Sequence, residues 1–61
     1  MELFVFEDNE DYYLVPANEI GHALYLIEQE YGEETRRGAY LVDSYDIDKL
    51  HVPVIRLSRV G

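Results

Sequence analysis

The chain has 61 residues, enough for one domain, and no cysteine, which excludes disulfides and thiolate metal sites. Its net charge of −8 makes direct binding to nucleic acid or to an anionic membrane surface unfavourable. Apolar residues make up 48% of the chain, which favours a compact core over disorder.

The chain begins with a predicted β-hairpin. The apolar run Leu3-Phe4-Val5-Phe6 predicts a first strand, because these residues favour extended backbone. Residues 7–11 are Glu, Asp and Asn, which suit a tight turn, and residues 12–15 predict a second strand. Pro16 has no backbone N–H and should end that strand.

An amphipathic helix is predicted over residues 19–31. Asn18 is a suitable N-cap, Glu19 complements the helix dipole, and Gly32 provides the stop. His22 lies off the apolar stripe, and we expect it to be exposed. The stripe consists of Ile20, Ala23, Leu24, Ile27 and Tyr31.

The second half of the chain predicts two further strands. Residues 33–38 are interpreted as a charged connection, and residues 39–42 open a third strand that continues towards Ile47. Residues 46–49 resemble a turn. Residues 52–60 predict a fourth strand, and Pro53 places it at a sheet edge or at its own start.

These elements predict a single α+β domain over residues 1–61, of order β-β-α-β-β. One helix would pack on one face of a four-stranded, mainly antiparallel sheet, leaving the second face for solvent or a partner. The first strand is apolar on both sides, which favours a covered second face. A homodimer through that face is one interpretation, and ordinary strand residues around a small core are the other. The tyrosines that would form the oligomer face are Tyr12, Tyr13, Tyr40 and Tyr45.

No motif in the sequence predicts catalysis. Thirteen acidic residues guarantee neighbouring carboxylates by number alone, and a proton-transfer carboxylate needs a dry pocket that so small a domain has little room to build. His22 and His51 have no further ligands at zinc spacing, and the stretch 43–48 does not match a calcium loop. We therefore expect no enzymatic activity, no metal and no cofactor.

The sequence also bears on location. It has no run of about 18 apolar residues that would span a membrane. Its start, Met1-Glu2-Leu3-Phe4, lacks the basic residues of a signal peptide, so we expect a cytoplasmic protein.

Charge is distributed unevenly along the chain. Residues 1–35 contain ten acids and no Lys or Arg, a charge of −10, whereas residues 36–61 contain three acids and five bases, a charge of +2. Acids after a helix C-terminus oppose its dipole by roughly 0.3–1 kcal/mol each, which suggests that a partner uses them. The predicted partner-binding carboxylates are Glu7, Asp8, Glu10 and Asp11 at the hairpin tip, and Glu28, Glu30, Glu33 and Glu34 at the helix end.

In size, acidity and aromatic content, this cysteine-free chain resembles small phage-encoded inhibitors, including anti-CRISPR proteins and uracil-DNA glycosylase inhibitors. Several of these mimic DNA. The resemblance implies a non-enzymatic inhibitor that occupies a basic nucleic-acid-binding surface of a host defence complex, in the host cytoplasm. The alternative is a homo-oligomeric interaction module, antitoxin-like or a phage accessory protein, that uses the second sheet face.

Overall fold

The computed structural model describes residues 1–48 and 54–59 and has an α+β fold. A four-stranded antiparallel sheet with one main helix packed on it confirms the predicted architecture. The order contains one unpredicted element, a second short helix. The elements are β1 (Glu2–Glu7), β2 (Asp11–Ala17), α1 (Ile20–Tyr31), α2 (Glu33–Gly38), β3 (Tyr40–Asp46) and β4 (Ile55–Ser58).

The β1–β2 hairpin forms the centre of the sheet, whose strand order is β3-β1-β2-β4. Strands β3 and β4 therefore lie at opposite edges, and every neighbouring pair is antiparallel. The edge position predicted for the fourth strand is confirmed. The predicted strand was longer, but its residues 52, 53 and 60 lie outside the described residues. Lys49 of the predicted turn and His51 also lie outside them.

The core lies between α1 and the helix-facing side of the central hairpin. Phe4 pairs with Val15 and Phe6 with Tyr13 across the two strands, and all four side chains point towards the helix and are buried. Strict alternation places Leu3 and Val5 on the opposite face, as the sequence predicts. The buried cluster is Phe4, Phe6, Tyr13, Val15, Ala17, Ala23 and Ile27.

Helix α1 follows most of the predicted stripe but differs at its beginning. Ala23 and Ile27 are fully buried, whereas Ile20 is exposed, because the stripe turns away from the sheet in the first turn. Glu19, not Asn18, is the N-cap residue, and neither forms a side-chain cap hydrogen bond. The stop at Gly32 is confirmed: its φ of 97° suits glycine, and its N–H donates to the Glu28 carbonyl at 2.8 Å.

The interpretation of residues 33–38 as a connection is wrong, since they form α2. Glu33 and Glu34 occupy its first turn, and Arg36 and Arg37 its last. A helix dipole favours negative charge at the N-terminal end and positive charge at the C-terminal end, so both pairs stabilise α2. The predicted penalty for acids after α1 therefore does not hold for Glu33 and Glu34, which stabilise the following helix instead.

A β-bulge interrupts the pairing of β1 with β3. Val5 lies opposite Asp43, but the next β1 residue, Phe6, lies opposite Leu41, so Val42 is the extra residue. The bulge reverses the alternation within β3 and brings Tyr40 and Tyr45, five positions apart, onto the same face. β3 continues through position 46, so the predicted turn does not begin there.

Candidate functional site

One carboxylate of the predicted helix-end cluster, Glu34, lies across a groove from the hairpin tip. This groove of about 520 Å³ separates the hairpin tip from α2. Glu10 and Asp11 line it on the hairpin side, and Glu34 lines it on the helix side. Arg56 of β4 is the only base among the described residues that line it. The remaining lining residues are Asp8, Asn9, Tyr13, Thr35 and Gly38.

Asp8 has a structural role at the hairpin tip. Its Oδ1 accepts the backbone N–H groups of Glu10, at 2.9 Å, and Asp11, at 2.8 Å, while Oδ2 accepts the Tyr13 hydroxyl at 2.9 Å. Burial alone would raise the pKa of Asp8, but the two backbone N–H groups, the tyrosine and Arg59 together hold it below the ordinary 3.8. Asp8 is thus an ionised turn residue whose lone pairs are largely occupied.

Three further predicted carboxylates pair with arginines from the second half of the chain. Arg36 contacts Glu28 at 3.0 Å, and Arg37 contacts Glu33 at 2.6 Å. The Arg59 guanidinium lies 3.9 Å from Glu7. The Arg37–Glu33 pair is exposed and contributes little to stability, whereas Glu7 is half-buried; all three arginines reduce the negative field of the carboxylates that they contact.

Four predicted carboxylates keep no side-chain partner within residues 1–48 and 54–59. Three of them line the groove, and Glu30 lies on the exposed side of α1. The predicted anionic surface is therefore narrower than the sequence suggests and is centred on the groove. The four are Glu10, Asp11, Glu30 and Glu34.

The predicted tyrosine face needs one correction. Tyr13 is 2% exposed and packs against Tyr31 of α1 at a ring-centroid distance of 5.4 Å, so it belongs to the core. Burial and its hydrogen bond to Asp8 both raise the pKa of its hydroxyl. Tyr12 follows the alternation to the opposite side of the sheet, and adjacent strand residues cannot share a face.

The remaining three tyrosines lie on the open face, which we define as the side of the sheet opposite α1. Tyr40 and Tyr45 are exposed, and Tyr12 is half-buried. Aliphatic side chains from β1, β2 and β4 surround them, so this face combines aromatic and aliphatic area. The open face comprises Leu3, Val5, Glu7, Tyr12, Leu14, Pro16, Tyr40, Asp43, Tyr45, Ile55 and Leu57.

Hydrogen bonds from the exposed tyrosines to carboxylates order the open face. The Tyr40 hydroxyl donates to Glu7 at 2.8 Å, and the Tyr45 hydroxyl donates to Asp43 at 2.7 Å. Each bond favours the protonated tyrosine and raises the pKa of its hydroxyl. The Tyr45 hydroxyl and the Ser44 N–H in turn lower the pKa of Asp43.

Sequence reasoning missed Arg59, which joins the hairpin tip to the open face. Its guanidinium lies over the Tyr12 ring, 5.5 Å from the centroid, and donates to the Asp8 carbonyl at 2.7 Å. The charge of Glu7 raises its pKa further. The excess of basic residues near the C-terminus was visible, but the pairing of β4 with β2 that brings Arg59 to the tip was not.

Apart from the groove and the open face, the described residues form no further candidate site. Within residues 1–48 and 54–59, no group of three or more His, Asp or Glu side chains is arranged to hold a metal ion. His22 is exposed, as predicted, and its ring lies 6.4 Å from that of Tyr25. In the same part of the chain, neither helix has the length and apolarity to cross a membrane.

Comparisons with protein-family models, with curated proteins and with solved structures found no match to this chain. The functional argument therefore rests on the groove and the open face.

Proposed function

We propose that the protein is a non-enzymatic acidic inhibitor that binds a basic, nucleic-acid-binding surface of another protein, such as a host defence complex. The main support is the groove, where Glu10, Asp11 and Glu34 converge from two separate elements. Carboxylates held on a hairpin and a helix present fixed negative charge to lysines and arginines that otherwise contact phosphates. This proposal resembles the action of anti-CRISPR and other DNA-mimic proteins and places the chain in the host cytoplasm.

Salt dependence and competition test this function. The tagged protein is used to capture partners from a host lysate at about 50 mM and about 200 mM salt, with and without added duplex DNA or RNA. We expect a basic captured protein, steep loss of capture at the higher salt, and displacement by nucleic acid. Capture that resists salt and is unaffected by nucleic acid would contradict the proposal.

A pair of charge-reversal variants locates the binding surface. Glu10→Lys with Glu34→Lys reverses two groove carboxylates, and Glu19→Lys with Asp48→Lys reverses two exposed carboxylates outside it. Each reversal adds two charges, so both variants carry −8 + 4 = −4. We expect the groove variant to lose the partner and the control to keep it. Equal loss in both would show that net charge alone drives capture.

A homo-oligomeric interaction module is the second candidate, favoured by Tyr12, Tyr40 and Tyr45 on one apolar face. In that case the protein would sediment as a dimer, and Tyr40→Ser or Tyr45→Ser would dissociate it. A monomeric wild-type protein at all accessible concentrations would exclude this candidate.

A further inference from the structure

Strand β3 is an open edge of the sheet. It has seven residues, all of them exposed, and it pairs only with β1 among the described strands. An edge strand presents a row of backbone N–H and C=O groups that can pair with another extended chain. Within residues 1–48 and 54–59, no strand pairs with the outer edge of β3.

Helix α1 does not cover β3. The helix packs on β2, so side chains on both faces of β3 stay accessible, including Leu41, which lies beside the buried Phe6. This combination of open backbone and apolar side chains is the one that strand-addition sites use. The exposed apolar residues of β3 are Tyr40, Leu41, Val42 and Tyr45.

The negative charge of β3 favours pairing with a basic strand over pairing with a second copy of this chain. The strand carries Asp43 and Asp46 and no base, and Glu2 lies opposite Asp46 on β1. A second copy would bring the same carboxylates, and a further −8, against this edge. Like charges that face each other across a pair of strands are destabilising. A strand that contains lysine or arginine would instead complement these charges.

We propose that β3 accepts an extended, Lys- or Arg-containing segment of a partner protein as a fifth strand of the sheet. The backbone of the segment pairs with the outer edge of β3, and its apolar side chains contact the exposed apolar residues of β3. Its cations lie on one face, near Asp43 on the open face or near Asp46 on the helix-facing side. This inference rests on the basic partner of the proposed function and adds how that partner docks.

A synthetic peptide in which lysine and valine alternate, acetylated and amidated at its ends, is the probe. A second peptide of the same sequence carries N-methyl groups on alternate amides, which keeps its charge but removes the donors needed for strand pairing. Changes in the amide chemical shifts of the ¹⁵N-labelled protein on addition of peptide identify the residues that bind it. We expect shifts at residues 40–46 and at least about tenfold weaker binding of the methylated peptide.

Two matched variants test the edge. Leu41→Lys on β3 and Leu57→Lys on β4 replace leucines that are 41% and 50% exposed, on opposite edges of the same sheet. We expect the first to weaken peptide binding about tenfold and the second less than about twofold. Urea unfolding of both variants checks that the fold is kept. If a variant does not fold, the comparison of the two peptides on the wild-type protein still tests the proposal.

Equal binding of the two peptides, or no binding of either, would overturn the strand-addition proposal. Shifts confined to the groove residues 8–11 and 34–38 would overturn it too, while leaving the acidic docking function in place. A wild-type dimer that Leu41→Lys dissociates would show that a second copy occupies the edge, which also overturns the proposal.

Discussion

The two strands that flank β1 have opposite environments. Phe6 lies between Tyr13 of β2, which is 2% exposed, and Leu41 of β3, which is 41% exposed, although all three side chains point to the same face of the sheet. The difference arises because α1 packs over β2 and does not extend over β3. The part of the sheet around β2, which lies under α1 and which we call the covered side, therefore contributes most to stability. The β3 part presents accessible surface.

The largest expected effect of a substitution is on the covered side. Phe6→Ala should lower the free energy of unfolding by about 3–5 kcal/mol, because it removes one of the largest buried side chains and leaves a cavity. Leu41→Ala, on the neighbouring strand, should cost less than about 1 kcal/mol, because leucine contributes according to the area that it buries. Urea unfolding followed by circular dichroism measures both.

Phe6→Leu extends this test if Phe6→Ala does not fold, since the leucine keeps most of the buried volume. A loss of about 2 kcal/mol or more for Leu41→Ala would indicate that β3 is covered in solution, and the contrast between the two strands would be wrong.

The next largest effect is at the hairpin tip, which belongs to the covered side. Asp8→Ala removes three hydrogen bonds to an ionised carboxylate and should cost about 3 kcal/mol, at the upper end for charged groups. Asn9→Ala, at the neighbouring exposed position, should change the unfolding free energy by less than about 0.5 kcal/mol. Similar losses for both variants would show that Asp8 does not hold the turn.

The hairpin and the main helix could be predicted from the sequence, because local patterns specify them, but the prediction that Pro16 ends the second strand is wrong, since β2 continues to Ala17. The continuous apolar run of residues 3–6 predicts a strand, and the spacing of Ala23 and Ile27 predicts the buried face of a helix. Gly32 likewise ends α1 where predicted, through a backbone conformation that favours glycine.

Features that depend on tertiary contacts could not be predicted. The bulge at Val42 places Tyr40 and Tyr45 on one face, and no residue in the run identifies it in advance. The charged residues 33–38 suggest a connection, yet their charges match a helix dipole at both ends. That charge order was the signal available for α2.

The candidate site was predicted in part. Both acidic clusters are visible in the sequence, but that Glu34 alone of the helix-end cluster lines the groove with the hairpin tip depends on the position of α2. The ion pairs of Arg36, Arg37 and Arg59 were not predicted, since a sequence shows which charges exist and not which ones meet.

Acid should weaken the hairpin tip in a predictable direction. Because the pKa of folded Asp8 lies below the ordinary 3.8, its ionised form stabilises the fold above that value, and the stabilisation is lost as pH falls through the lowered pKa. The difference in unfolding free energy between wild type and Asp8→Asn should be constant above about pH 5 and shrink at lower pH. A difference that grows as pH falls would mean that the protonated form is the one stabilised.

The smallest expected effects come from one substitution, tyrosine to phenylalanine, made at Tyr13 of β2 and at Tyr45 of β3. Tyr13 and Tyr45 each donate a hydroxyl hydrogen bond to an aspartate, at 2.9 and 2.7 Å, but only Tyr13 is buried. Tyr13→Phe should cost about 1.5 kcal/mol, since the Asp8 carboxylate loses a partner in a partly buried place. Tyr45→Phe should leave the unfolding free energy unchanged within error, because water replaces the hydroxyl at Asp43. If the two variants lose equal stability, β3 is as well enclosed as β2, and its edge is not available to a partner.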